Sequence, residues 1–457
     1  MKNINFNIRT IVFLFLFSGL HSCNDWVEVD MPNNQLGTND VFTDVYTANA
    51  ALAGVYANMR DISIVSGSLE GSGFLLSLYS DDLIEYIEDQ NGYTDVFNNT
   101  IQPTNSVIES VWNFAYQQIY ATNSIIQGVQ NSPLPQSEKM RIKSEAVVAR
   151  TLLYFYLQQI FGEIPYTQSL DYEYNKTLFK ISENDLLNQL VEDMSEMVPF
   201  LDENYRNPER IYPNRSVAKL VLAKLYLSLG NNVKAEEYAK QILQSSNYQF
   251  QNNLNEVFKN ASTHILWQFP PEYYGEPVSE AQLYYFENSY PHLASLSTDL
   301  MNSFDNNDLR KSTWVKEVNF NGETWYRPNK YKNIESNYDE YSIMFRLEEV
   351  YFILAEALAK QDKLSEANLY INYTRIRAGL SPIENNSQDQ FLIELLLEKR
   401  KEFFAEMGHR FMDLKRLNKL NDLVIVKPFW VDFKKVWPLP QKELLLNPNL
   451  NPQNNGY

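Results

Sequence analysis

The run "YSDDLIEYIEDQNGY", residues 79 to 93, has five carboxylates, of which Asp81, Asp82, Glu85 and Glu88 could supply a pair. Two carboxyl groups held at the right separation across a sugar suffice for glycoside hydrolysis. Their spacing is also that of a helix, and a solvated helix face accounts for them without any chemistry. A second run, "LLLEKRKEFFAEMGHRFMDLKRL", alternates sign at Glu398, Arg400, Glu402, Glu406, Arg410, Asp413 and Arg416. Between them stand the apolar anchors Phe403, Phe404, Phe411, Leu414 and Leu417. Carboxylates in that density can form a catalytic cluster. The expectation here is a structural ion-pair network supporting an aromatic core, with Arg410 and Asp413, three apart, able to share one face. Beyond the N-terminal segment, histidine occurs only at His264, His292 and His409, and no H-E-x-x-H, C-x-x-C or G-x-S-x-G pattern occurs. Zinc and nucleophile-elbow chemistry therefore lack their residues. "GSLEGSG" (67–73) has no following Lys-Ser/Thr and reads as a flexible loop rather than a phosphate cradle. No metal, cofactor or catalysis is expected.

Aromatic rings carry the other recognisable chemistry. Between His264 and Tyr331 stand 14 aromatics in 68 residues, about 21% against 14% for the whole chain, in proline-broken sequence without a helical face. Rings with polar tips, carried on loops, suit the faces of sugars. For any single ring the core is the first explanation. For the set, at least two are expected to line a ligand surface.

The single cysteine, Cys23, follows a positive start (Lys2, Arg9), an apolar run over 11–20 and the small residue Ser22. That is the order of a secretory signal peptide, and the run is about half the ~20 residues a membrane-spanning helix needs. Leu20, Ser22 and Cys23 resemble a bacterial lipobox, from which His21 departs. The expectation is a signal peptide over 1–22 and a thioether-linked diacylglycerol on Cys23, in which each buried CH₂ contributes about 0.8 kcal/mol. Removal of Lys2 and Arg9 with that segment takes the net charge from −18 to −20, since no acid leaves. No basic stripe for nucleic acid survives in such a chain. One cysteine makes no intramolecular disulfide, so the fold must rest on a core drawn from the 44% of residues that are hydrophobic. Residues 23–40 read as a lipidated tether. Asp25, Glu28 and Asp30 in it resemble an acidic surface-export tag, or are plain linker acidity.

Helices must position these groups. In 137–165, Ile142, Ala146, Ala149, Leu153, Tyr156, Leu157 and Ile160 recur at steps of three and four, with Ser137 as N-cap and Gly162 and Pro165 as stop. Two helical hairpins follow: in the first, Gly230 ends the leading helix, and in the second a turn near Gln361–Lys363 joins two helices and Gly379 closes the second. Leu222, Ala223, Tyr226, Ala235 and Leu354, Ala355, Leu358, Ala367 have identical internal spacing, that of tetratricopeptide repeats. Asn321-Gly322 is placed as the turn of a short β-hairpin.

Taken together, these pieces resemble the SusD/RagB family of outer-membrane lipoproteins. "SEAVVARTLLYFYLQQIFGEIPY" is similar to its E-A-x-x-x-R helix with F-G-x-x-P, and the two repeat-like helices "RSVAKLVLAKLYLSLGN" and "YSIMFRLEEVYFILAEAL" are similar to its own. Its E-x-R-x-E-F…G-H-R-x-x-D-L-x-R signature is met by Glu398, Arg400, Glu402, Phe403, Gly408, His409, Arg410, Asp413, Leu414 and Arg416, and "VWPLPQKELLLNPNLNPQNNGY" resembles its terminus. The resemblance implies a mostly α fold of tetratricopeptide-like pairs beside an irregular, loop-rich ligand-binding part. It divides the chain into an N-terminal helical part, 41–210, and a C-terminal part, 211–457, which includes a variable aromatic region, 264–331. It further implies a lipid-anchored protein of the outer membrane, facing the exterior, that captures oligosaccharides and delivers them to a SusC-type TonB-dependent transporter. The ligand site is expected in loops near 79–100 and 264–331, with Tyr93, Trp267, Tyr273, Tyr274, Tyr285 and Trp325 as contacts. A peptide ligand, a glycosidase built on residues 81–88 and a helical adaptor without a small ligand remain the alternatives.

Overall fold

Where apolar residues recur at steps of three and four, the chain is helical. The computed structural model describes residues 41–87 and 92–457. The expected signal peptide, lipobox cysteine Cys23 and tether to residue 40, together with Glu88, lie outside the described residues. Helix α1 (Val45–Asp61) is capped by Asp44, whose carboxylate accepts from the N–H groups of Tyr46 and Thr47, satisfying donors that have no intrahelical partner. Helix α2 (Ser72–Tyr79) is apolar and buried. Helices α3 (Ser106–Gln130) and α4 (Gln136–Phe161) pack together across a short loop, with α1 against both.

Helix α4 starts after Pro135, not at Ser137, and stops at Gly162 as expected, with φ 75°. Its second half is buried all round: Val147, Val148, Leu152 and Tyr154 are covered as fully as the predicted stripe. The cause is tertiary. Helix α5 (Glu183–Met197) packs on another side, and the C-terminal segment reaches it through Trp437 N–H donating to Ile160 O at 2.7 Å.

The two predicted hairpins are α6 (Arg215–Ser228) with α7 (Asn232–Leu243), and α8 (Leu347–Ala359) with α9 (Leu364–Arg377). Their matched Leu and Ala positions are buried, while Tyr226 stacks on Tyr238 at 5.7 Å. Helix α7 packs on α8, so hairpins far apart in sequence stack like neighbouring repeats. Helices α10 (Gln388–Phe403) and α11 (His409–Arg416) complete the helices of eight or more residues among those described. The turn between them contains Gly408 at φ 67°, where a Cβ would lie 2.5 Å from Leu76 Cδ1 on α2. About 53% of the described residues are helical, so the fold is mostly α.

Six short strands among the described residues pair two by two, all antiparallel. They are β1 (Leu83–Glu85) with β3 (Ala294–Leu296), β2 (Ile265–Phe269) with β6 (Ser342–Arg346), and β4 (Val315–Phe320) with β5 (Glu323–Pro328). Asn321 and Gly322 turn the last pair with φ of 49° and 83°, the left-handed pair that a two-residue hairpin turn requires. One hydrophobic cluster runs from Phe42 to Leu450, and a small second one holds Phe286, Val318 and Trp325.

The charged run of α10 and α11 is an ion-pair network, as expected, but most of its partners lie elsewhere in the chain. Arg410 does not pair with Asp413. It holds Asp81 with two bonds of 2.8 and 2.7 Å, while Arg400 reaches Asp82 at 2.9 Å. Asp413 is held by Lys399 and Arg416, and Arg416 also binds Glu356. Glu402 lies among Arg310, Arg346 and Arg377, and Glu398 accepts from Arg310 at 2.7 Å. Burial opposes ionisation of Glu402 and Glu356, yet these guanidinium groups hold both pKa values down to about 2. Asp81 and Asp82 are thus buried, and the solvated helix face expected for them is not there: they follow α2 and lead into β1.

Candidate functional site

The β4–β5 hairpin builds an aromatic surface. Pairing of Val318 with Trp325 and Phe320 with Glu323 puts Val318, Phe320 and Trp325 on one face, because side chains alternate along each strand. Tyr290 stands edge-on to Phe320 and Trp325, with ring centres 5.1 and 5.3 Å away, an arrangement favoured by the ring quadrupoles. It is 49% exposed, and its hydroxyl accepts from Asn321 Nδ2 at 3.1 Å. Tyr86, one residue beyond β1, packs on the small Phe286–Val318–Trp325 cluster. The Arg327 guanidinium lies 4.9 Å from the Tyr285 ring centre and donates to Phe286 O. The Tyr285 hydroxyl donates to Glu287 at 2.9 Å, and this bond raises its pKa. Exposed Asn321 adds an amide beside the rings, while Asn319 and Thr324, bonded to each other at 2.6 Å, lie on the opposite face of the hairpin. Flat rings bordered by neutral donors and acceptors can stack on a saccharide face and bind its hydroxyls.

Two separate stretches of the chain match known families. Residues 296–423 match the SusD family, and residues 25–227 match a SusD-like family described as starch-binding and associating with the outer membrane. The chain belongs to the SusD family. SusD-like protein P25 from Formosa agariphila is 23% identical over 98% of this chain and 99% of its own. A SusD superfamily protein from Bacteroides vulgatus has the same fold, with TM-score 0.78 and 20% identity over 91% of this chain and all of its own. Surface glycan-binding protein A from Bacteroides thetaiotaomicron, solved with laminarihexaose, gives TM-score 0.74 at 16% identity over 90% of this chain and 99% of its own.

Within this SusD fold, the six aromatics singled out in the sequence go to four places. Tyr285 and Trp325 meet at the hairpin surface, although Trp325 is only 8% exposed and offers little beyond an edge. Tyr93 begins the short helix after residue 92, half-buried, with its ring edge on Phe74 at 6.1 Å. Tyr273 and Tyr274 lie on a separate exposed loop, where Tyr274 leans on Tyr338 at 5.2 Å. Trp267 is corrected to a core residue. It is fully buried in β2, packed edge-on to Tyr56 and Phe269, with its indole N–H donating to Ile211 O. A ring without accessible surface has none to give a ligand. Sequence reasoning missed Tyr86, Tyr290 and Phe320. For Phe320 the signal was present, since it alternates with Val318 just before the predicted Asn321-Gly322 turn; Tyr86 and Tyr290 reach the hairpin only through tertiary packing. No group of three or more His, Cys, Asp or Glu among the described residues is placed to hold a metal ion.

Proposed function

We propose that this chain is a non-catalytic glycan-binding lipoprotein that holds an oligosaccharide on the Tyr290–Phe320–Trp325 surface. In this reading the chain is cleaved ahead of Cys23, which is lipidated, and residues 23–40 tether the body to the outside of the outer membrane. The captured ligand passes to a TonB-dependent transporter of the SusC type. The observation that carries the reading is the exposed Tyr290 ring, braced edge-on by two other rings and bordered by the Asn321 amide. The laminarihexaose complex of a protein with this fold and the starch-binding description of the matching family support the ligand class. Non-catalytic action is supported by the burial of Asp81 and Asp82: Arg410 holds both oxygens of Asp81, and Arg400 holds one oxygen of Asp82.

Calorimetric titration of residues 24–457 with laminarihexaose and with maltohexaose tests it. Saturable binding to at least one is expected, weakened about tenfold or more by Tyr290→Ala, the equivalent of about 1.4 kcal/mol, with no shortened product by chromatography. Folded protein that gives no heat with these two or with a wider glycan panel would overturn the reading.

A further inference from the structure

A cleft that shares no residue with the hairpin surface opens between α3, the loop over 165–178 and the C-terminal stretch 443–450, and encloses about 410 Å³. That volume lies within the ~300–1,000 Å³ of ordinary ligand pockets. Helix α3 presents Asn113, Tyr116, Gln117 and Tyr120 to it, at steps of three, one and three, so one helical face is turned inward. Tyr120 and, from the loop, Tyr172 are 52% and 70% exposed. Trp112 is buried beneath them, its ring 4.8 Å from that of Tyr116.

The polar groups define what this cleft can hold. Among the described residues, the Asn113 and Gln117 amides and the Tyr120 and Tyr172 hydroxyls have no hydrogen-bond partner. An aliphatic ligand would strand them, at the full desolvation cost of each group it covered. Among the described residues, the one lining cation, Lys176, is held by Glu173, and the lining carboxylate Glu443 has no cation partner. Burial raises the pKa of Glu443. An anionic ligand would therefore meet a carboxylate and no free positive charge. Rings with an apolar face, unpaired neutral donors and acceptors, and no free cation fit a neutral polyhydroxylated ligand.

We propose that this cleft is a second saccharide site, taking a short neutral oligosaccharide against Tyr120 and Tyr172 with its hydroxyls bonded by Asn113 and Gln117. The ligand class rests on the glycan-binding reading; the site itself does not depend on the hairpin surface. Two sites on one chain make the second contact of a long glycan intramolecular, which strengthens retention without tightening either site.

Hydrogen exchange of residues 24–457 with laminarihexaose or maltohexaose tests the proposal. Ligand is expected to protect 165–178 and 441–450. The protection persists in the Tyr290→Ala/Phe320→Ala double variant and is lost in Gln117→Ala/Tyr120→Ala. Both α3 substitutions lie on exposed positions, so a melting temperature within about 2 °C of the parent establishes that the variant is folded. Protection confined to 285–328 overturns the second site and leaves the hairpin reading standing. Protection nowhere, with both sugars, removes both.

Discussion

At Trp267 and Trp325 the same side chain has two fates, and burial decides which. Trp267 fills the core between Tyr56 and Phe269, so Trp267→Ala is expected to cost about 3–5 kcal/mol of stability, read as a lowered denaturant midpoint. A midpoint unchanged by that substitution would contradict its place in the core. Glu402 shows the same point for charge. Its carboxylate faces three arginines inside the protein, and Glu402→Leu leaves those guanidinium groups under-compensated, for an expected loss of about 3–5 kcal/mol. Residue types revealed both candidates but not their surroundings. Asp81 and Asp82 look like a solvated pair in sequence because their arginines lie more than 300 residues away.

Among the elements, the β4–β5 hairpin is the one whose geometry the ligand surface depends on. Its turn requires positive φ at Gly322, where nothing crowds a side chain, so Gly322→Val is penalised by backbone conformation alone, at about 1–2 kcal/mol. The turn end of the hairpin lies outside the main core cluster, with Val318 and Trp325 in the small one, while Val315 and Tyr326 pack with the main one. The expected outcome is weaker sugar binding with a nearly unchanged global melting transition. Equal loss of both would show the hairpin to be part of the global folding unit. The turn was legible because Asn-Gly between alternating residues is a local signal. The bracing of Phe320 and Trp325 by Tyr290 was not, since it depends on how the chain between β3 and the hairpin packs.

For the molecule as a whole, the buried ion pairs set the acid limit. Glu356 is held at a pKa of about 2, against 4.5 when unpaired. A depressed folded pKa gives stability that is complete above 4.5 and is lost as pH falls toward 2. This group alone contributes about 3 kcal/mol, and Glu402 acts in the same direction. Urea unfolding at pH 7 and pH 3 is expected to show a markedly lower midpoint in acid, with Glu356→Gln flattening the difference. A midpoint independent of pH over that range would refute the account.

The sequence by itself determined helix α4, the two repeat-like hairpins, the Asn-Gly turn and the family signature, because caps, periodicity and turn residues act over a few positions. Tertiary structure alone decided that α4 is enclosed on every side, that Asp81 meets Arg410, and that Tyr290 rather than Trp267 faces outward. Each of those depends on segments distant in sequence coming into contact. Exposure and electrostatic pairing are properties of that packing, and spacing along a chain does not encode them.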